Sequence, residues 1–149
     1  MVVGGIPIGP LHKTYADGII IVGDAAGQTK PTSGGGIYTG ALCAKIAAKV
    51  AASLEDDASA GSLQQYEKQW KAAIGKELGM GMRIHDFIKR LNDNELDELL
   101  GSMNTPSILD TITEYGDMDH PSVLIRKMLD PRKSKQMLKV FSAFAKAVL

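Results

Sequence analysis

The stretch that most constrains this chain is residues 17–40, DGIIIVGDAAGQTKPTSGGGIYTG. An apolar run, Ile19–Val22, leads into Gly23 and Asp24, then small residues, Pro31, three consecutive glycines and a segment that reads as helix from Ile37. β-Branched residues bounded by glycine are a strand signal, so the order predicts a strand ending at Gly23, a loop and a helix. Gly23 lets a ligand come close to the backbone. Asp24 then offers a carboxylate at the carboxyl end of a strand, where ligands bind in open α/β sheets. A carboxylate there can accept hydrogen bonds from sugar-like hydroxyls. Gly34, Gly35 and Gly36 clear side chains from the N-terminus of the helix that begins at Ile37. Its free N–H groups and dipole suit a phosphate or an electron-rich ring edge. As chemistry alone, the pattern describes a site for a phosphorylated or polyhydroxylated cofactor. A glycine-rich turn with no ligand is the plain alternative.

The texture changes after this stretch. Residues 1–40 hold ten of the sixteen glycines, which reads as short strands and tight loops. From Ile37 onward the chain reads as about six helices, so the expected fold class is mainly α with a short β-strand and loop entry. The first helix, Ile37 to about Leu54, is rich in alanine and suited to close packing. A second, from about Ser62 to Leu91, places Leu63, Tyr66, Trp70, Ile74, Leu78, Ile84, Ile88 and Leu91 near a 3.6-residue period. Gly75, Gly79 and Gly81 interrupt it and predict a kink or close crossing near Gly79. Asn92 and Glu95 form a capping pair for the next helix. Three more helices open with Pro106, Pro121 and Pro131 at their first turn, and the last carries Met137, Phe141, Phe144 and Val148 on one face. Two regions follow from this division: 1–54, with the glycine loop, and 55–149, helical.

GDAAGQTKPTSGGGIYTG resembles the GD-containing motif of the p-hydroxybenzoate hydroxylase-like FAD superfamily. Within it the chain is most similar to the geranylgeranyl reductase family, which includes the archaeal digeranylgeranylglycerophospholipid reductases. The flanks share the likeness, through GGIPIGPLHKTYADG at 4–18, GALCAKIAAKVA at 40–51 and LQQYEKQWKAAIGKEL at 63–78. The resemblance implies the C-terminal part of an FAD-binding α/β protein that saturates isoprenoid double bonds of lipids. Carried over by position, Asp24 would bind the ribityl chain of FAD and Gly23 would allow close approach. The backbone at Gly34, Gly35, Gly36 and Ile37 would meet the pyrimidine side of the isoalloxazine, and Pro31 would shape the loop facing the ring. No catalytic side chain is implied within this chain.

The family pattern opens with GxGxxG for the FAD diphosphate, and this sequence has none. The expectation is a C-terminal fragment holding half of an FAD site, inactive alone and weak in FAD binding by itself. The rival readings are a fragment of another FAD-dependent oxidoreductase, such as an aromatic-ring monooxygenase, and a non-catalytic helical interaction module.

Composition narrows the remainder. Formal net charge is zero, so nothing global argues for nucleic acid. No apolar run approaches the roughly 20 residues of a membrane-spanning helix, and a single cysteine, Cys43, fits a reducing compartment; a cytoplasmic location is expected. His12, His85 and His120 are scattered, so no metal site is expected. Residues 92–120 carry eight acidic side chains and no Lys or Arg, whereas 121–149 carry seven basic ones and a single acid, Asp130. The plain reading is helices packing with complementary surfaces. The sharper reading is a basic C-terminal region in peripheral contact with an anionic membrane. Cys43, Tyr66 and Trp70 read most simply as core, the methionines as gap-filling, and His85 with Asp86 as surface. Lys13 and Tyr15 are candidates to face the flavin or substrate.

Overall fold

The computed structural model describes residues 1, 3–55 and 57–128. Two strands, β1 (Tyr15–Ala16) and β2 (Ile19–Ile20), pair antiparallel with Tyr15 opposite Ile20 and Ala16 opposite Ile19. Asp17 and Gly18 make the two-residue turn between them. The turn is tied down from outside, because Gly18 N–H donates to Ala58 O at 2.8 Å and Asp17 Oδ1 accepts from Ala60 N–H at 2.6 Å. The strand expected to reach Gly23 stops at Ile20. Gly23 adopts φ 70°, which swings the chain into a 3-10 turn, Gly23–Ala26. Asp24 therefore stands on a tight turn after a hairpin, not at the end of a strand in an open α/β sheet.

Beyond the turn the described chain is helical: α1 (Ile37–Ala52), α2 (Ala60–Trp70), α3 (Lys76–Ile88), α4 (Asp93–Met103), α5 (Pro106–Tyr115) and α6 (Pro121–Met128). α2 and α3 form one continuous run, joined by a π-helical turn at Lys71–Gly75. That run is the long second helix of the sequence, so five of the six expected helices are present. The sixth, opening at Pro131, lies outside the described residues. The irregularity expected near Gly79 falls instead at the π turn, a single-turn bulge inside the helix. The close crossing falls at Gly81, where an added Cβ would lie 2.9 Å from Pro31 Cδ, while Gly79 faces open space.

The described residues fall into two compact units, divided between Met82 and Arg83. In the first, α1 and α2 bury one shared core built on Cys43, Val50, Leu63, Tyr66, Trp70, Ile74 and Leu78, with Tyr15, Ile20 and Val22 of the entry segment against it. The α2–α3 members recur at steps of three and four, the stripe a helix buries. Ser59 caps α2 by accepting from Ser62 N–H. In the second unit, Asn92 and Glu95 form the full reciprocal capping box on α4, and Pro106 and Pro121 each open their helix. α5 and α6 pack together, with Lys127 Nζ 4.6 Å from the centre of the Tyr115 ring. Most of the basic run lies outside the described residues. No helix among the described residues is long and apolar enough to cross a membrane.

Candidate functional site

The glycine loop and the turn before it meet at one point. Gly36 is the N-cap of α1, and a Cβ added there would collide with Asp24 Oδ1 and sit 2.9 Å from Thr29 Cγ2. The Asp24 carboxylate thus rests against the N-terminus of a 16-residue helix whose first turn carries no acid of its own. Asp24 is exposed, as is Ile37, whose side chain stands 93% accessible at the first helical position. The N–H groups of that first turn have no intrahelical acceptor, so carboxylate and dipole end share one open face.

The other expected site residues surround this point. Gly23 opens the 3-10 turn, and its Cα lies 3.6 Å from where a Cβ on Gly40 would stand, in the first turn of α1. Gly34, with φ 70°, packs beside Ile6 Cδ1. Gly35 O accepts from Lys30 N–H at 2.9 Å, closing the loop on itself. Pro31 is buried, turned towards Gly81. Ile6, Ile37 and Tyr38 are exposed apolar side chains near the rim.

What holds the loop was not apparent in the sequence. Thr14, Gln28 and Thr29 are fully buried polar residues, and each is paired. Gly23 N–H donates to Gln28 Oε1 at 2.8 Å, Gln28 Nε2 donates to the Tyr66 hydroxyl at 2.9 Å, and that hydroxyl donates to Ile21 O at 3.1 Å. Trp70 Nε1 donates to Thr14 Oγ1 at 2.9 Å, while Thr14 N–H and Oγ1 both donate to Glu67 Oε2 at 2.8 and 3.1 Å. Thr29 Oγ1 donates to Pro7 O at 2.7 Å. Among the described residues no buried side-chain nitrogen or oxygen lacks a partner. Tyr66 and Trp70 are core residues, as expected, yet their polar atoms also anchor the entry segment to α2. Buried phenol and indole groups need such partners. The one local signal was Gln28, a long amide inside an otherwise small-residue motif.

The electrostatics agree with this packing. Burial pushes the Tyr66 hydroxyl up to about 12, so it stays a proton donor. Burial also tends to raise Glu67, but hydrogen bonds from Lys71 and Thr14 outweigh it and hold the carboxyl below its usual range. Lys71 Nζ lies 2.8 Å from Glu67 Oε1. Burial lifts the Cys43 thiol to about 11, which suits packing and not nucleophilic or redox work. Lys13 stacks 4.7 Å over the Tyr15 ring, whose hydroxyl accepts from Gln64 Nε2 at 3.1 Å.

The chain is 39% identical over 110 residues to digeranylgeranylglycerophospholipid reductase 2 of Methanopyrus kandleri, covering 72% of this chain and 28% of that protein. It is 41% identical over 128 residues to digeranylgeranylglycerophospholipid reductase 2 of Methanothermobacter thermautotrophicus, covering 81% of this chain and 33% of the relative. An uncharacterized protein of Methanocaldococcus jannaschii is 39% identical over 127 residues, 85% of this chain and 32% of its own length. The chain belongs to the geranylgeranyl reductase family. It spans about a third of the length of these curated relatives. No protein-family model and no solved structure matches it.

Proposed function

We propose that this geranylgeranyl reductase relative supplies the ring-side half of an FAD site in an enzyme that reduces isoprenoid double bonds of lipids. The observation that carries the reading is the Asp24 carboxylate held against Gly36 at the open N-terminus of α1. The residues present fit the group. Asp24 can accept from ribityl hydroxyls, and Gly36 leaves no Cβ between that carboxylate and the helix end. The first N–H groups of α1 favour negative charge on an electron-rich ring edge. Exposed Ile37 and Ile6 offer apolar surface to a flat ring. Reduced FAD, when bound, supplies the hydride, while this chain binds and orients the ring and holds the dipole towards it.

In this reading residues 1–54 carry the cofactor contacts and 55–149 form the helical region, within a p-hydroxybenzoate hydroxylase-like FAD-binding fold. The diphosphate-binding half comes from outside residues 1–149, and a lipid substrate brings the protein to a membrane surface. Two titrations test it. The chain alone should bind FAD weakly, and a tight, stoichiometric yellow complex would contradict the half-site. Adding the remaining portion of the M. thermautotrophicus reductase in trans should raise flavin affinity, and Asp24→Ala should remove most of that gain. Equal binding with and without Asp24 sinks the assignment.

A further inference from the structure

The bridge between Gln28 and Tyr66 does more than fill the core. Ile21 C=O and Gly23 N–H flank Val22, and both are held by one continuous relay. Gly23 N–H donates to Gln28 Oε1, Gln28 Nε2 to the Tyr66 oxygen, and the Tyr66 hydroxyl to Ile21 O. The Gly23 N–H can only donate and the Ile21 carbonyl can only accept, so the direction of the relay follows from the backbone groups at its ends. A second tie acts on the same turn, since Gln28 N–H donates to Gly23 O at 3.1 Å. Asp24 is the next residue along; it is exposed, and its carbonyl accepts from Gly27 N–H at 2.9 Å within the same turn. Its position against Gly36 is therefore set by the turn it stands on.

We infer that Gln28 and Tyr66 are positioning residues for the Asp24 carboxylate, with α2 holding the register of the ligand-facing turn through this relay. The inference rests on the proposed FAD site and names the groups that pre-organise it. A polar relay buried within an apolar core is worth retaining where it specifies one geometry. The Tyr66 ring alone would satisfy the packing between α1 and α2.

The test uses the full 149-residue chain labelled for NMR and titrated with FAD, following the amides of Asp24, Gly36 and Ile37. This readout works for weak binding. Tyr66→Phe keeps the ring and removes the relay, and should cost about fivefold in FAD affinity, the worth of one net hydrogen bond. It should also speed hydrogen exchange at Gly23 more than in α1. Gln28→Met keeps the side-chain volume, removes both polar atoms and should lose at least as much. Val50→Ala, in the shared core but not a member of the relay, should lower the melting temperature and leave FAD affinity unchanged. If the three variants lose affinity only in proportion to lost stability, the positioning role is overturned. If Asp24→Ala leaves the shifts and the affinity intact, the FAD reading itself falls, whatever Tyr66→Phe does.

Discussion

At Gly36 the chain has room for a hydrogen and nothing larger, because the Asp24 carboxylate occupies the space a methyl would need. Asp24 is exposed and can be pushed aside, but the buried Thr29, with Cγ2 2.9 Å from that Cβ, cannot, so Gly36→Ala should cost about 1 kcal/mol of stability and about fivefold in flavin affinity, read by the same titration. Gly27 differs. It sits at φ 65° with the Gly9 carbonyl where a Cβ would go and Pro10 Cα 3.0 Å away, and both of these are backbone. Gly27→Ala should therefore destabilise the unit of residues 1–82 by more than about 1 kcal/mol in urea unfolding. Glu67 sets an acid limit on the same unit. Its folded carboxyl lies below the ordinary range, so its contribution is complete above the unfolded value and is lost as pH falls through the folded one. Wild type should lose urea resistance more steeply than Glu67→Gln between about pH 5 and 3, and parallel curves would refute this. Cys43 should stay unreactive to thiol reagents at pH 8 until the chain unfolds, because burial keeps its proton on up to about 11.

Among the elements, α2 does the most varied work. One face, Leu63, Tyr66 and Trp70, builds the core with α1, while Tyr66, Glu67 and Trp70 also collect the polar groups of the entry segment. The periodicity of that helix was legible, and so was its apolar stripe. Its hydrogen bonds were not, since they join residues 38 to 56 positions apart in sequence. α4 is the opposite case. Its capping box is wholly local, Asn92 and Glu95 three residues apart, and the sequence declares it. Asn92→Ala should cost about 1 kcal/mol, seen as faster hydrogen exchange in the first turn of α4 with residues 1–82 unchanged.

For the molecule as a whole, the useful contrast is between apolar residues that found cover and those that did not. Cys43, Tyr66 and Trp70 are sealed within the first unit, yet Ile37 stands 93% exposed at the mouth of the proposed site, with Ile6 at 53%. On the half-site reading, Ile37→Lys should leave the melting temperature within about 4 °C, since surface changes usually fall within about 0.5 kcal/mol. It should nevertheless weaken flavin binding in the reconstituted protein. Unchanged flavin affinity would place the ring elsewhere.

The sequence by itself determined the helical content, the capping box, the proline starts, the core stripe and the family, because each is written in local spacing or in contiguous motif residues. Only the tertiary structure decided that the strand ends at Ile20, that the helix widens at Lys71–Gly75 and crosses Pro31 at Gly81, and that Asp24 meets Gly36. Those outcomes depend on where backbone groups separated along the chain find partners. Gln28 reaching Tyr66, and Thr14 reaching Glu67 and Trp70, satisfy buried donors and acceptors that no local pattern could pair.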